Sequence, residues 1–291
     1  MGFRDVVAGI GRVLIAAGTL ILLFVAYQLW GTKFAEERDQ KALRKQLVAP
    51  VAAPDPGAAA VSLPGLPSGQ AVAVIKIPKL SIEKAVVEGV GVGDLQKGPG
   101  HYPETPLPGQ PGNAAIAGHR TTYGAPFYRL DELDKGDPIL VTVRGGKTFD
   151  YVVDDKMVVS PSTTAVLDAT QDNRLTLTTC NPRFSAAQRL IVVAHLQGQA
   201  VAPPPAPPAP PPGSTPLRPA VSVPRGGLSG VRADKGPAIF WGTLAALVWL
   251  MTWAVGRRWR RWPAYLVGVP VFLVVLFFFF DNFARFLPAN I

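Results

Sequence analysis

RLTLTTCNPRFSAAQRLIV, residues Arg174 to Val192, decides how the central part of this chain is read. Its first half alternates as a half-buried strand does, Pro182 stops that strand, and a second apolar run opens at Arg189. If the two strands run antiparallel across the short connector, Cys180 and Arg189 fall at the same end of the sheet. Cys180 is the only cysteine, so an internal disulfide and a thiol-rich metal cluster are both excluded. The thiol is either a small buried apolar group or a reactive one. From its residue type alone the first is the commoner case, because free cysteine is among the most buried side chains.

Working outward, the same period-two pattern recurs in AVAVIKIP (71–78), NAAIAGHR (113–120), PILVTVRG (138–145), TFDYVVDDKMVV (148–159) and RLIVVAHL (189–196). GVGDLQKGPG, PLPGQPGN, KGD and GGK supply turns between them, and APFYRLDEL is the one good helical or 3₁₀ turn. Short strands at this spacing predict an all-β sandwich or closed barrel, with about 130 residues to bury one core. There is no internal repeat.

The flanks are different. Val13 to Trp30, Pro237 to Val255 and Trp262 to Phe280 are each long and apolar enough to cross about 30 Å of hydrocarbon as a helix. Tyr27 and Trp30 suit an interface belt at the end of the first span, which reads as an uncleaved anchor and not as a signal peptide. The connector GRRWRR makes the last two spans a hairpin. Its four arginines set the loop in the cytoplasm, which leaves the region between the first and second spans outside. Counted alone, the first span points the other way, because Lys33, Arg38, Lys41, Arg44 and Lys45 follow it. The short, charge-dense hairpin loop outweighs it. The net charge of +9 has no basic run interleaved with aromatics in the centre, so it reads as membrane topology and not as nucleic-acid binding.

These shifts in composition divide the chain. Residues 1–31 are a cytoplasmic tip and transmembrane helix, and 32–69 a charged helical stalk and an Ala/Pro/Gly linker. Residues 70–198 are the folded β unit. A Pro-rich linker (199–235, with APPPAPPAPPPGSTP) should be extended polyproline II, a spacer back to the membrane. The transmembrane hairpin (236–281) and a tail (282–291) complete the chain.

Strand ends are where such a scaffold presents chemistry, and three of them carry suitable groups. Cys180 supplies a thiol, and a nearby cation favours its thiolate. His119, after NAAIAG, supplies an imidazole that moves protons near neutral pH. Arg189 supplies a guanidinium able to hold an oxyanion. Together they would form an acyl-transfer site. Each residue alone has a blander reading: core for Cys180 and His119, surface charge for Arg189. His101 and His195 compete for the imidazole role. His101 lies in a Pro/Gly loop, where a structural hydrogen bond is expected. His195 is six residues beyond Arg189, about 20 Å along a strand, too far to share its site.

LTLTTCNPRFSAAQRLIV resembles the Thr-Leu-x-Thr-Cys-x-Pro…Arg signature of the sortases, GNAAIAGHRTTYGAPFYRLDELDKGD their histidine segment, and GPGHYPETPLPGQPGN the loop before it. The similarity runs over nearly all of Ala71 to Leu196, and AGHRTTYG and TTCNPRFSA most resemble class E, the actinobacterial housekeeping-like branch. One departure is Asn181, where many class E relatives carry His; it adjoins the thiol without belonging to the triad. The resemblance implies a closed eight-stranded β-barrel, tethered here by the N-terminal helix and the C-terminal hairpin. It implies a cysteine transpeptidase with His119, Cys180 and Arg189 as catalytic residues, Thr179 and Tyr123 near the substrate, and no metal or organic cofactor. Its partners would be surface proteins bearing C-terminal LAxTG- or LPxTG-like sorting signals, a lipid-linked peptidoglycan-precursor amine and membrane lipid, with no nucleic acid. It would be a multi-pass plasma-membrane protein with its catalytic domain on the cell-wall side. Two alternatives stand beside this. A pilin-polymerising sortase would use a pilin lysine as the amine, but the segment before the barrel lacks an Asp-Pro-Trp-like lid motif. A non-catalytic tethered barrel that binds sorting peptides would not need the triad.

Overall fold

A computed structural model gives the structure of the chain and describes residues 3–48, 66–201, 235–258 and 261–284. It forms two compact units. Most of the linker after the stalk, most of the Pro-rich linker with its expected polyproline conformation, and most of the tail lie outside the described residues.

The β unit is a closed barrel of eight strands: β1 (Ala71–Ile77), β2 (Ile82–Glu88), β3 (Gly100–His101), β4 (Asn113–Ala117), β5 (Pro138–Val143), β6 (Thr148–Val159), β7 (Arg174–Asn181) and β8 (Gln188–Leu196). The order around the barrel is β1-β2-β3-β4-β7-β8-β6-β5. The pairs β2–β3 and β4–β7 are parallel and the others antiparallel. Closure removes the exposed edges an open sheet would carry.

Alternation sorts the side chains. Leu175 and Leu177 of β7 and Leu190, Val192 and Ala194 of β8 join Ile75, Ile77, Ile116, Ile139, Val141 and Tyr151 in the barrel core. The period of two then sends Thr176, Thr178 and Cys180 to the outer face, with Arg189 opposite Cys180. Strands β4, β7 and β8 are nonetheless buried along most of their length. The reason is a second apolar cluster of Leu95, Tyr102, Ala115, Ala117 and Cys180, with Leu167 and Ala186 packed on it. A strand buried on both faces is also where a reactive group can be desolvated.

The strands expected from alternation are present, β6 with the expected bounds. Two went unread. In β2 the charged Glu83 and Lys84 interrupt the apolar run, and β3 is only two residues long. The turn segment GVGDLQKGPG contains a helical turn, α3, at Val92–Leu95, once α1 (Phe3–Ala26) and α2 (Thr32–Val48) are counted. APFYRLDEL carries a 3₁₀ turn at Leu130–Glu132.

Helix α2 is more than a stalk. From Ala35 onward it belongs to the barrel's unit, and its buried residues Glu36, Gln40 and Leu43 recur at helical spacing. Leu43, with Leu47, packs on Ala71, Ala85 and Val87 of β1 and β2. Gln46 accepts a hydrogen bond from the Ala71 backbone N–H at 3.0 Å.

The other unit contains α1, a π-helical turn at Tyr27–Gly31, α4 (Gly236–Arg258) and α5 (Arg261–Ala284). Three stretches are long and apolar enough to cross a membrane: Val6–Ala26, Gly236–Arg258 and Trp262–Ala284. The first lies earlier than the expected Val13 to Trp30. Arg12 interrupts the apolar run without interrupting the helix, because arginine is a good helix former and its stem can lie along apolar surroundings. Small residues set the α4–α5 contact: Gly268 meets Thr252, and Gly256 meets Tyr265. The Tyr27 hydroxyl donates to Asp281 at 3.0 Å, joining the C-terminal ends of α1 and α5.

Candidate active site

Cys180 and Arg189 face each other directly in the antiparallel β7–β8 register. Both are buried, each 2% exposed. The connector between them holds the guanidinium: Arg189 Nη1 donates to Ala186 O and Gln188 O, each at 3.0 Å. Two fixed acceptors on one nitrogen set the plane of the whole fork, so its remaining donors have a defined direction.

His119 reaches the same place from another strand. The parallel β4–β7 ladder pairs Ala117 with Thr178, and Gly118 N–H continues it to Thr178 O at 3.0 Å. Carrying that register on by two residues sets His119 level with Cys180. The imidazole is 5% exposed. Thr122 Oγ1 lies 3.4 Å from its Nδ1, and the Tyr123 ring is 5.1 Å away, tilted by 37°. The two registers thus set the three residues level with one another on neighbouring strands.

The electrostatics of the thiol differ from the simple expectation. Burial pushes the Cys180 thiol up; the charges of Arg189 and then Arg120 pull it back only partly, and the net direction is upward. Burial likewise pushes up the neighbouring Tyr102 phenol against the pull of Arg189. Tyr102 belongs to the same buried cluster as Cys180.

The two residues expected near substrate act on the frame of the site. Thr179 is fully buried and donates to Gly118 O at 2.7 Å, fastening the residue before His119 to β7. Tyr123 is 6% exposed, packs on the imidazole and accepts a hydrogen bond from Gln96 Nε2 at 3.0 Å.

Arg120 follows His119 in the sequence. In the structure it is 3% exposed, and its Nη1 donates to Cys180 O at 3.0 Å and Asn181 Oδ1 at 3.1 Å. Its Nη2 lies 3.0 Å from Asp131, which also pairs with Arg183 at 3.1 Å. Burial alone would raise the Asp131 carboxyl. Hydrogen bonds from Arg183 and from its own backbone, with the charges of Arg120 and Arg183, hold it below the ordinary range. Asn181 serves this network with both ends of its amide, accepting from Arg120 and donating to Gln188 Oε1 at 3.2 Å. No local signal in the sequence announces this contact, which joins residues sixty positions apart.

The two competing histidines lie elsewhere. His101 is buried, with Nδ1 2.9 Å from Glu88 Oε2 and Nε2 3.0 Å from Pro106 O, a structural clamp across β2, β3 and the loop that follows. His195 pairs with Arg174 at the opposite end of the β7–β8 ladder from Cys180 and Arg189.

Residues 75–197 match the family described as the sortase domain. Sortase SrtE1 of Streptomyces coelicolor is 36% identical over 200 residues, which cover 63% of this chain and 55% of that protein. Sortase D of Bacillus subtilis is 36% identical over 115 residues, 40% of this chain and 57% of that one. The chain therefore spans little more than half the length of these relatives. Among solved structures, sortase E from Streptomyces avermitilis is 40% identical, with a TM-score of 0.42 over 45% of this chain and 90% of that one.

Proposed function

The chain belongs to the sortase family of cysteine transpeptidases through residues 75–197, and on that premise we propose that Cys180, His119 and Arg189 carry out acyl transfer from a C-terminal sorting signal to a cell-wall amine. The observation that supports this most strongly is the direct pairing of Cys180 with Arg189 across β7 and β8, with the β4–β7 register, carried on by two residues, setting His119 level with Cys180. The chemistry follows from the groups. The Cys180 thiol passes its proton to His119, and the thiolate attacks the carbonyl carbon of the Thr–Gly bond. Negative charge moves onto the carbonyl oxygen, where the Arg189 donors hold it. The intermediate collapses as the C–N bond breaks, and the departing glycine amine takes the proton from His119. This leaves a thioester on Cys180. The acceptor amine then attacks the thioester carbonyl and gives a proton to His119. Expulsion of the Cys180 sulfur restores the thiol once it regains a proton.

The donor is read as an LAxTG- or LPxTG-like signal and the acceptor as a lipid-linked peptidoglycan-precursor amine. Support for a class E assignment comes from the similarity to SrtE1. The reaction is tested by incubating the protein with LAxTG and LPxTG peptides and taking intact masses. A peptide-sized adduct on wild type, absent from Cys180→Ala, is expected. Removing the thiol sulfur from a buried site costs about 1 kcal/mol, so the variant should remain folded. Turnover by Cys180→Ala would end the reading.

The barrel is placed on the cell-wall side, opposite the arginine loop of the α4–α5 hairpin. Support comes from the Tyr27–Asp281 bond, which joins the C-terminal ends of α1 and α5 as a shared outer face would require. In a Cys180→Ala background, a cysteine replacing the exposed Ser162 should react with an impermeant reagent on intact cells, and one replacing Trp259 only after lysis. The reverse pattern inverts the topology.

A further inference from the structure

We propose that Glu36 of helix α2 is a positioning residue for the imidazole of His119: it seats the left-handed turn Tyr123–Gly124–Ala125, which carries the Tyr123 ring that packs on His119. The proposal rests on the assignment of His119 above.

The docking face of α2 is unusual in its chemistry. A helix that needed only to adhere to the barrel would present apolar residues, as Leu43 does. Instead the Glu36 side chain is completely buried, and both its oxygens accept hydrogen bonds from Lys84 Nζ of β2, at 2.6 and 2.8 Å. A buried ion pair contributes little net stability, because desolvation of both charges offsets their attraction. Burial, set against the hydrogen bond and charge of Lys84, leaves the Glu36 carboxyl above its ordinary range. A group this costly to bury asks for a role beyond adhesion.

The turn that follows His119 supplies one. Tyr123, Gly124 and Ala125 have φ of 49°, 71° and 43°, three successive left-handed residues, two of them not glycine. A non-glycine residue there is strained and persists only where its surroundings hold it. The Glu36 carboxylate is the surface that Gly124 rests on: a Cβ added to Gly124 would lie 2.6 Å from Oε2 and 2.9 Å from the carboxyl carbon. The backbone can come that close only because residue 124 has no side chain.

The same helix reaches Tyr123 by a second route. Gln40 is buried, and its amide both accepts from Ala85 N at 2.8 Å and donates to Ala85 O and Lys97 O, each at 2.9 Å. Lys97 follows Gln96, whose side chain donates to the Tyr123 hydroxyl at 3.0 Å. Two lines of contact from α2 therefore converge on the ring that lies 5.1 Å from His119. Glu36 touches neither thiol nor substrate; it acts through the turn.

The test uses the full-length protein in detergent or native membrane. Glu36→Gln keeps the shape of the side chain and removes its charge. Arg44→Ala, which removes an exposed α2 pair with Glu83, is the control for the helix. Peptide cleavage, thermal midpoint and the rate of Cys180 alkylation by a small reagent are read on each. A displacement of a reacting group by about 1 Å can cost about 10²-fold, so Glu36→Gln should lower kcat by at least about tenfold, with KM and alkylation within about twofold of wild type. Arg44→Ala should leave all of them unchanged. A normal kcat in Glu36→Gln, or a loss that only follows the unfolded fraction, overturns the proposal. If Glu36→Gln does not fold, Gly124→Ala decides, because its methyl meets the carboxylate while α2 stays intact: reduced kcat in a folded protein supports the proposal and normal kcat overturns it. Failure of the wild type to form an acyl-enzyme would instead bring down the assignment of His119 itself.

Discussion

The two ends of the β7–β8 ladder hold similar residue types and behave differently. At one end Cys180 faces Arg189, with His119, Arg120 and Asp131 around them; at the other Arg174 faces His195, with Asp154 and Asp172 beside it. His119, Arg120 and Arg189 are each at most 5% exposed, whereas the side chains of His195, Asp172 and Asp154 are 37%, 37% and 41% exposed. Water screens the far end, where His195 lies 3.3 Å from Asp154 and 3.2 Å from Asp172. Such pairs are worth at most about 1 kcal/mol. At the near end the apolar cluster around Leu95 and Ala117 keeps water away, so charges act on one another at higher effective strength. An imidazole and a guanidinium do not make a site; the desolvation that surrounds them does.

The largest effect should come from breaking the near end. Arg189→Lys keeps a cation beside Cys180 but loses the planar fork. Removal of one aimed oxyanion donor typically costs about 10²–10³ in rate, and the loss should fall on kcat more than KM because the oxyanion exists only in the transition state and intermediate. Alkylation of Cys180 reports thiolate and should change little. Arg189→Met should separate the two roles: with its charge gone, the thiol moves further up, so the alkylation-against-pH curve shifts to higher pH. Equal falls in cleavage and alkylation for Arg189→Lys would reduce Arg189 to a source of positive potential.

Arg120→Met should have an intermediate effect. It leaves Cys180 O and Asn181 Oδ1 without this donor and Asp131 with Arg183 as its remaining pair. Loss of the bonds to buried acceptors is worth about 1–3 kcal/mol each at most. We expect a lower thermal midpoint, together with a smaller kcat loss than Arg189→Lys gives, since Arg120 grips the backbone of the nucleophile and not its sulfur. A kcat loss as large as that of Arg189→Lys would move Arg120 into the oxyanion site.

How far the near end was legible follows from period-two reasoning. The bounds of β6 and the β7–β8 pairing, which sets Cys180 opposite Arg189, could be read because alternation, Pro182 and strand ends are local signals. Arg120's grip on Cys180 O was not legible, because it joins residues sixty positions apart through a parallel pairing that no local pattern announces. Helix α2 misled for a different reason. Its docking face carries Glu36 and Gln40, so the pattern of charges reads as a solvated stalk, and only the burial of those polar groups against Lys84, Ala85 and Lys97 reveals a docked element. Strand β2 hid for a related reason, since Lys84, the partner of Glu36, is one of the charges that interrupt its apolar run.

The smallest effect should come from the far end, and it sharpens the comparison by what it does not change. His195→Gln removes an exposed imidazole from between two carboxylates and should leave cleavage within about twofold of wild type and stability within about 1 kcal/mol. The carboxylates there give the pH dependence a definite sign. Asp172 is held below its ordinary range first by the hydrogen bond from Arg174, against a small opposing effect of burial. A carboxyl whose folded pKa is depressed contributes stability that is present above its unfolded pKa and is lost as pH falls through the folded one. Asp172→Asn should therefore flatten the acid side of the stability curve, below the ordinary range of an aspartate, while leaving stability near neutral pH only slightly lower, because the pair is largely solvated. A thermal-melt series against pH on wild type, His195→Gln and Asp172→Asn checks this. If either variant lowered kcat as Arg189→Lys does, the two ends of the ladder would be coupled, and their difference in burial would not separate them.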